Sequence, residues 1–569
     1  MRVTMEKDAS LPKKFTSAIF LFVFIIIIIW MSLLQFTMPD VGHKNRRVDL
    51  FSADRAMNYV KNIANKPHPL GSEEHERVKE YIVRTLTDLG VTPEIQSEEG
   101  VFSAWGGPYK GKIENIVGKI PGKDSSRAIM ISAHYDSEGD SPGASDDGSG
   151  VAAILETIRA LKNEKPLKND IIIFISDGEE KGLLGAQLFV QKHPWAKEVG
   201  LVFNFEARGN GGPSVLFETN QGNERLISEY VKAVPNPLAH SFLYNLYKNT
   251  PHDTDLTVFK NAGMYGLNFG FFEGVNSYHT SQDTVENLSI ESLQQQGDNM
   301  LHLAKHFGNM NLVAKKDGNK IFFNIIGHKV ITYSDTLVLP LMILTVIVFG
   351  LTYIHGYKMG SLTLLKTCVS FFIFLGIAAT SYILGEVMMD TIKIVAPNRI
   401  WLLETNLSVS NPLFLLIIII QITLITIVYS FLLKKINWSN LMMGAFIGWL
   451  LLSVISSIWL KGSSYIFVLP LLFGLFGLNL YMRKKVHHSS LVRGILLILL
   501  VPILLITVPV IYLVYVILTL KALPILLLLV SIVYSYLIPV ISYLKFRYLP
   551  VIPGLSIATI VCLFLLGRP

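Results

Sequence analysis

Two stretches decide the fold: Ala128-Ile-Met-Ile-Ser-Ala-His134-Tyr-Asp136 and Ile171-Ile-Ile-Phe-Ile-Ser-Asp177-Gly-Glu179-Glu180. Each is a short continuous apolar run, rich in β-branched residues, that stops at acids or histidine. Such runs read as strands buried on both faces of a largely parallel sheet. Similar runs cover 113–119, 201–206, 214–218 and 264–270, with helical periodicity at 149–162, 182–193, 221–233 and 288–307 between them. Two amphipathic helices, 51–64 and 73–89, precede them, separated by the loop Lys66-Pro-His68-Pro-Leu-Gly-Ser72. Alternation of this kind predicts an α/β domain over 50–312, a mixed central sheet flanked by helices.

In such sheets reactive groups collect at the carboxyl ends of strands. Four strand ends here carry acids or histidines. They are His134-Tyr-Asp136, Asp177-Gly-Glu179-Glu180, Glu206-Ala-Arg208, and Tyr278-His279-Thr-Ser-Gln-Asp283 after the run at 264–270. Gly143-Ala-Ser-Asp146-Asp147-Gly-Ser-Gly150 opens a helix between the first two. Each alone has an ordinary reading as a surface pair, an N-cap or a solvated helix start. Converging, two imidazoles and three or four carboxylates would repel unless cations neutralised them. Mixed nitrogen and oxygen donors suit zinc.

The order and spacing of these segments resemble the co-catalytic di-zinc exopeptidases, the family of leucyl aminopeptidases and glutamate carboxypeptidase. With an anchor before it and many spans behind, the layout is similar to the family's endoplasmic-reticulum and vacuolar membrane branch. The resemblance implies two Zn2+ ions per chain, one on His134 and Glu206, the other on Glu180 and His279, with Asp146 bridging. Glu206 stands where soluble aminopeptidases commonly have Asp, and it is an equally competent carboxylate. The resemblance further implies peptide hydrolysis, most readily as an aminopeptidase, by a metal-bridging hydroxide with Glu179 as general base. Asp136 would orient His134, Asp147 would be a helix-start residue, and Asp283 would brace the His279 turn. Arg208 and Asp255 are candidate substrate-binding groups, for a substrate carboxylate and an α-amino group; a surface salt bridge is the plainer reading of each, as it is of Asp253. His68 reads as a loop residue. The alternatives are a one-zinc glutaminyl cyclase and a non-catalytic receptor-like homologue.

The composition places this domain in a membrane protein. The chain of 569 residues is 51% hydrophobic and 16% charged, which excludes disorder. Its net charge of +7 divides into +11 for residues 331–569 and −4 for the rest. A basic excess confined to an apolar region is a topology signal, so nucleic acid is not an expected partner; peptide and lipid bilayer are. Residues 15–39 read as an uncleaved anchor after an inner segment, 1–14. Eight further runs, 333–353, 363–384, 411–433, 438–460, 464–481, 492–518, 522–544 and 550–567, predict a helical polytopic domain over 333–567. No run has a charge at its middle, which argues against a transporter. With the N-terminus inside, the inner loops hold ten Lys/Arg, from Lys358 to Arg547, and no acid. The domain at 50–312 is therefore expected on the outer face. Both cysteines, Cys368 and Cys562, fall in expected spans. A cysteine-free exported domain favours a bacterial cell membrane over the endoplasmic-reticulum or vacuolar alternatives.

Overall fold

The computed structural model describes residues 11–38, 41, 46–125, 127–248, 252–312, 318–482 and 490–544. The expected last span, 550–567, and residues 1–10 of the expected inner segment lie outside the described residues. Two compact units form. One lies within Met1–Leu34, Ile325–Gly327 and Thr336–Pro569, the other within Gln35–Asn324 and His328–Asp335. The expected domain at 50–312 falls inside the second.

In the helical unit, α1 runs Leu11–Leu33, 23 residues, long enough for a hydrocarbon core of about 30 Å. The α/β unit then builds α2 (Ala53–Ile63) and α3 (Glu73–Asp88), started by Ser52 and Ser72, whose hydroxyls accept the N–H groups of Arg55 and His75. Its sheet has seven strands: β1 (Glu94–Ala104), β2 (Gly107–Ile120), β3 (Ala128–His134), β4 (Ile171–Ser176), β5 (Val199–Ala207), β6 (Val215–Thr219) and β7 (Gly266–Phe271). They lie in the order β1-β2-β4-β3-β5-β7-β6. The four central strands, β4, β3, β5 and β7, are parallel, and β1, β2 and β6 are antiparallel additions at the edges.

The helices of this unit are α4 (Gly148–Leu161), α5 (Leu184–Lys192), α6 (Glu224–Ala233), α7 (Ser241–Lys248), α8 (Asp255–Asn261) and α9 (Ile290–Gly308). Successive residues of β3 and β4 face opposite layers. Ile129, Ile131, Ile171 and Ile173 pack with α2, α4 and α9, whereas Met130, Ile172 and Phe174 pack with Phe189 and Phe259 of α5 and α8. The mixed, doubly covered sheet is the expected fold class. The apolar pattern does not announce the strand β1 or the outer half of β2 in this sheet, the helices α7 and α8, or a separate two-stranded hairpin of β8 (Lys320–Ile326) and β9 (Lys329–Ser334).

Since β4 and β5 flank β3 on opposite sides, the chain reverses its direction of travel across the sheet at β3. That topological switch leaves a crevice beyond the strands' carboxyl ends.

The helical unit continues with α10 (Val338–Lys358), α11 (Leu364–Val395), α12 (Ile400–Thr405), α13 (Leu407–Leu432), α14 (Trp438–Trp459), α15 (Tyr465–Met482), α16 (Ser490–Leu518), α17 (Leu523–Tyr534) and α18 (Ile538–Leu544). Among the described residues six segments are long and apolar enough to cross a membrane, the last being Ile498–Ser542. This last is broken by a turn at Thr519–Ala522, where two expected runs meet. α11 extends past its expected end at 384 and carries Glu386 and Asp390, the latter paired with Lys393 one turn on. A helix needs no apolar side chains once it leaves the hydrocarbon, so hydropathy alone marks its end too early.

Close approach in this unit is made by glycine. A Cβ on Gly444 would meet the backbone of Ser370 at 2.5 Å, and one on Gly385 the Pro524 Cα at 2.4 Å. Some of its buried polar groups bond internally: Gln421 Nε2 donates to the Leu527 carbonyl at 2.6 Å and Trp449 Nε1 to Ser535 Oγ at 3.2 Å.

Candidate metal centre

Each strand end delivers one part of a single cluster. His134 is the last residue of β3; Asp146 lies in the loop before α4; Glu179 and Glu180 follow β4; Glu206 is near the end of β5; His279 follows β7. All but His279 are buried. The Asp146 carboxylate stands between the imidazoles, with Oδ1 at 3.1 Å from His134 Nε2 and Oδ2 at 3.3 Å from His279 Nε2. Glu206 Oε2 lies 3.8 Å from the same His134 nitrogen, and Glu180 Oε2 lies 3.0 Å from that of His279. Thus His134, Asp146 and Glu206 form one group, and Asp146, Glu180 and His279 a second, the donor atoms of each lying within 4.8 Å of one another. Glu179 joins His134 and Glu180 in a third.

The surrounding residues hold these donors in place. The two Asp136 carboxylate oxygens accept the N–H groups of Glu179 (3.0 Å) and Glu180 (3.2 Å). Its backbone carbonyl, at 2.9 Å, is nearer to His134 Nδ1 than its carboxylate, at 3.5 Å. Asp136 therefore fixes both the imidazole and the acidic loop. Asp147 caps α4 by accepting the Gly150 N–H at 3.1 Å. Asp283 accepts the N–H groups of Ser145 (2.7 Å) and Asp146 (3.1 Å). It ties the His279 segment to the Asp146 loop, a wider role than bracing its own turn. The His279 backbone is left-handed (φ 58°), costing about 1 kcal/mol for a residue with a Cβ.

Other residues support the cluster in ways their sequence positions do not assign. Asn204 Nδ2 donates to Glu206 Oε1 at 2.9 Å and also to Asn268 of β7 at 3.1 Å. A lone Asn between Phe203 and Phe205 is the sequence sign of such a contact. Asp177 accepts from His75 Nε2 at 2.7 Å and from the Glu114 N–H at 2.7 Å, anchoring the start of the acidic loop. Asp255 is buried beneath the cluster, its Oδ2 bonded to Ser176 Oγ. Asp253 accepts from Thr257 Oγ1 at the surface. His68 is buried, its N–H on Ser137 Oγ at 2.9 Å and its Nδ1 at 3.0 Å from the Lys66 carbonyl, and it is not one of the donors.

The electrostatics of the cluster call for cations. Burial, with Asp146 as a repelling neighbour, pushes Glu180 and Glu206 up to about 8 against the pull of the imidazoles. Burial and then the charges of Glu206, Glu180 and Asp255 hold Glu179 well above the ordinary range, against the pull of His134. Asp146 goes the other way, because hydrogen bonds from both histidines outweigh its burial. Glu180 Oε1 is buried without a hydrogen-bond partner. Crowded carboxylates, two imidazoles and an orphaned carboxylate oxygen fit divalent metal.

The comparisons with known proteins converge on the same segment. Residues 115–304 match Peptidase family M28. The M28 segment contains every donor named above. Endoplasmic reticulum metallopeptidase 1 of Homo sapiens is 31% identical over 317 residues, 52% of this chain and 35% of that protein. Vacuolar membrane protease of Candida dubliniensis is 29% identical over 404 residues, 67% of this chain and 40% of that one. The chain thus spans between about a third and two fifths of the length of these relatives. Among solved structures, a zinc aminopeptidase from Bacillus subtilis covers 45% of this chain and 95% of its own, at 18% identity and TM-score 0.37. Porphyromonas gingivalis glutaminyl cyclase covers 45% and 98%, at 22% identity and TM-score 0.37.

Proposed function

We propose that this chain is a membrane-anchored, zinc-dependent metallopeptidase of the M28 kind that acts as an aminopeptidase. The observation carrying this reading is the shared carboxylate of Asp146, which offers one oxygen toward each histidine-centred group. His134 and Glu206 would hold one zinc, Glu180 and His279 the second, and Asp146 both. Bound there, zinc supplies Lewis acidity toward a peptide carbonyl and makes water a nucleophile near neutral pH. Glu179 is left out of the paired ligand groups that share Asp146, so its carboxylate takes a proton from the attacking water and returns it to the leaving amine. Asp136 keeps Glu179 and Glu180 in register by binding both of their N–H groups. The distribution of basic residues between the spans supports an outer-face location for the domain, and its lack of cysteine supports a bacterial envelope.

The test is metal analysis of the purified full-length protein, together with hydrolysis of an unblocked and an N-acetylated peptide library. Two zinc ions per chain, activity lost to a chelator and restored by zinc, and cleavage confined to the unblocked library are expected. One zinc per chain with release of pyroglutamate would replace the reading by the glutaminyl cyclase alternative.

A further inference from the structure

Arg208 stands two residues beyond Glu206, and nothing in the hydrolytic scheme uses it. Its backbone is pinned: the N–H donates to the Phe271 carbonyl at 3.0 Å, and a Cβ on the next residue, Gly209, would strike the Glu273 carbonyl at 2.1 Å. Its guanidinium lies over the ring of Tyr278, with Cζ 5.4 Å from the centroid. That ring stacks on the imidazole of His279 at 3.6 Å. One aromatic ring therefore separates a fixed cation from a metal-ligating histidine.

A surface salt bridge does not account for this arginine. Among the described residues its side chain makes one hydrogen bond, from Nη2 to His252 Nε2 at 2.7 Å, and pairs with no carboxylate. Because guanidinium only donates, His252 Nε2 is the acceptor and brings no negative charge. The nearby acids are engaged elsewhere: Asp255 with Ser176, Asp253 with Thr257, Glu206 with Asn204. The cluster next door is crowded with buried carboxylates, which would repel any anionic ligand lacking a local cation. A partly exposed arginine on a rigid backbone, with its fork largely unused, matches the planar geometry of a carboxylate.

We propose that Arg208 receives a carboxylate of the peptide substrate, so that the site selects short peptides bearing a free acid close to the scissile bond. This inference rests on the peptidase reading and names its substrate class. The acid is either the C-terminal carboxylate of a di- or tripeptide or an acidic side chain.

Binding separates the inference from catalysis. The full-length protein carrying Glu179→Gln is loaded with zinc, and dissociation constants are measured for three forms of one tripeptide. These are the C-terminal acid, the C-terminal amide, and the amide with an acidic residue next to the scissile bond. Tighter binding of at least one acid-bearing form over the plain amide, by about tenfold or more, is expected, and which form gains identifies the source of the carboxylate. Adding Arg208→Gln should collapse that ratio toward one, and Arg208→Lys, which keeps the charge and loses the fork, should recover part of it. A merely structural arginine would weaken all three peptides alike. Equal binding of all three forms, or a ratio unchanged by Arg208→Gln, overturns the inference and leaves the peptidase reading standing. A wild-type protein that cleaves none of the peptides while keeping the ratio overturns the peptidase reading instead.

Discussion

The α/β unit concentrates buried charge and the helical unit keeps it out. At one end of the sheet Asp146, Glu179, Glu180 and Glu206 lie buried with His134, and burial, with Asp146 as a repelling neighbour, pushes Glu180 and Glu206 to about 8. Such crowding is tolerable only with cations present and with backbone N–H groups held to the supporting acids, as Asp136 and Asp283 hold them. The helical unit meets low dielectric the opposite way. Its buried polar groups are uncharged, several of them amides, hydroxyls and an indole bonded within the unit, and its helices approach through Gly385 and Gly444. One unit concentrates electrostatic stress, and the other, among its described residues, buries no charged side chain. Substitutions should therefore fail in different currencies in the two units.

The largest effect belongs to Glu179→Gln. Removing the proposed proton carrier while leaving the candidate ligand groups that share Asp146 intact should lower kcat by about 10²–10⁴-fold, with zinc content unchanged. Steady-state turnover and metal analysis of the same preparation check this; unchanged turnover would break the assignment. Next comes Glu206→Ala, which removes a donor from one group only. It should lower zinc from two per chain to one and leave Asn204 without its carboxylate partner. Two zinc ions retained in that variant would remove Glu206 from the ligand set.

How much of this was legible depends on what each residue had to signal. The central strands announced themselves because β3 and β4 are buried on both faces and so read as unbroken apolar runs. The candidate donors were legible only jointly, because an acid or histidine ending one such run has an ordinary reading and four such endings together do not. β1 was silent: it is an edge strand in which no residue is buried, so no apolar alternation marks it. The cross-connections were silent as well. Asp283 reaches Asp146 across 137 residues and His75 reaches Asp177 across 102, and sequence spacing holds no record of such contacts. Burial of Asp255 is of the same kind, since a residue at the start of a helix reads as solvated until a strand is laid over it.

In the helical unit the sharpest contrast is Gly444→Val. Its Cβ would need the space of the Ser370 backbone, which cannot step aside as a side chain can. A loss of about 1–3 kcal/mol is expected, read as a lower melting temperature of the full-length protein in detergent. Zinc stoichiometry should not change, because no donor moves. Loss of zinc from this variant would mean that the two units do not fail separately.

The smallest effect tests whether buried titration is confined to the α/β unit's site region. Burial lowers His68 to about 4, so the folded chain holds this imidazole neutral while the unfolded chain protonates it near 6.5. Between those values the unfolded state binds the extra proton. Stability from this group is therefore complete above pH 6.5 and lost as pH falls toward 4, at most about 1.4 kcal/mol per pH unit. His75 has the opposite sign. Its bond to Asp177 outweighs burial and raises its pKa, so its contribution is complete below 6.5 and lost as pH rises through the raised value. Melting curves of His68→Gln between pH 7 and 5 should show less acid destabilisation than wild type, and those of His75→Gln should lose stability mainly on the acid side. Parallel curves for wild type and His68→Gln would show that this imidazole is hydrated in solution, and the contrast between the units would then rest on the carboxylates of the candidate metal centre alone.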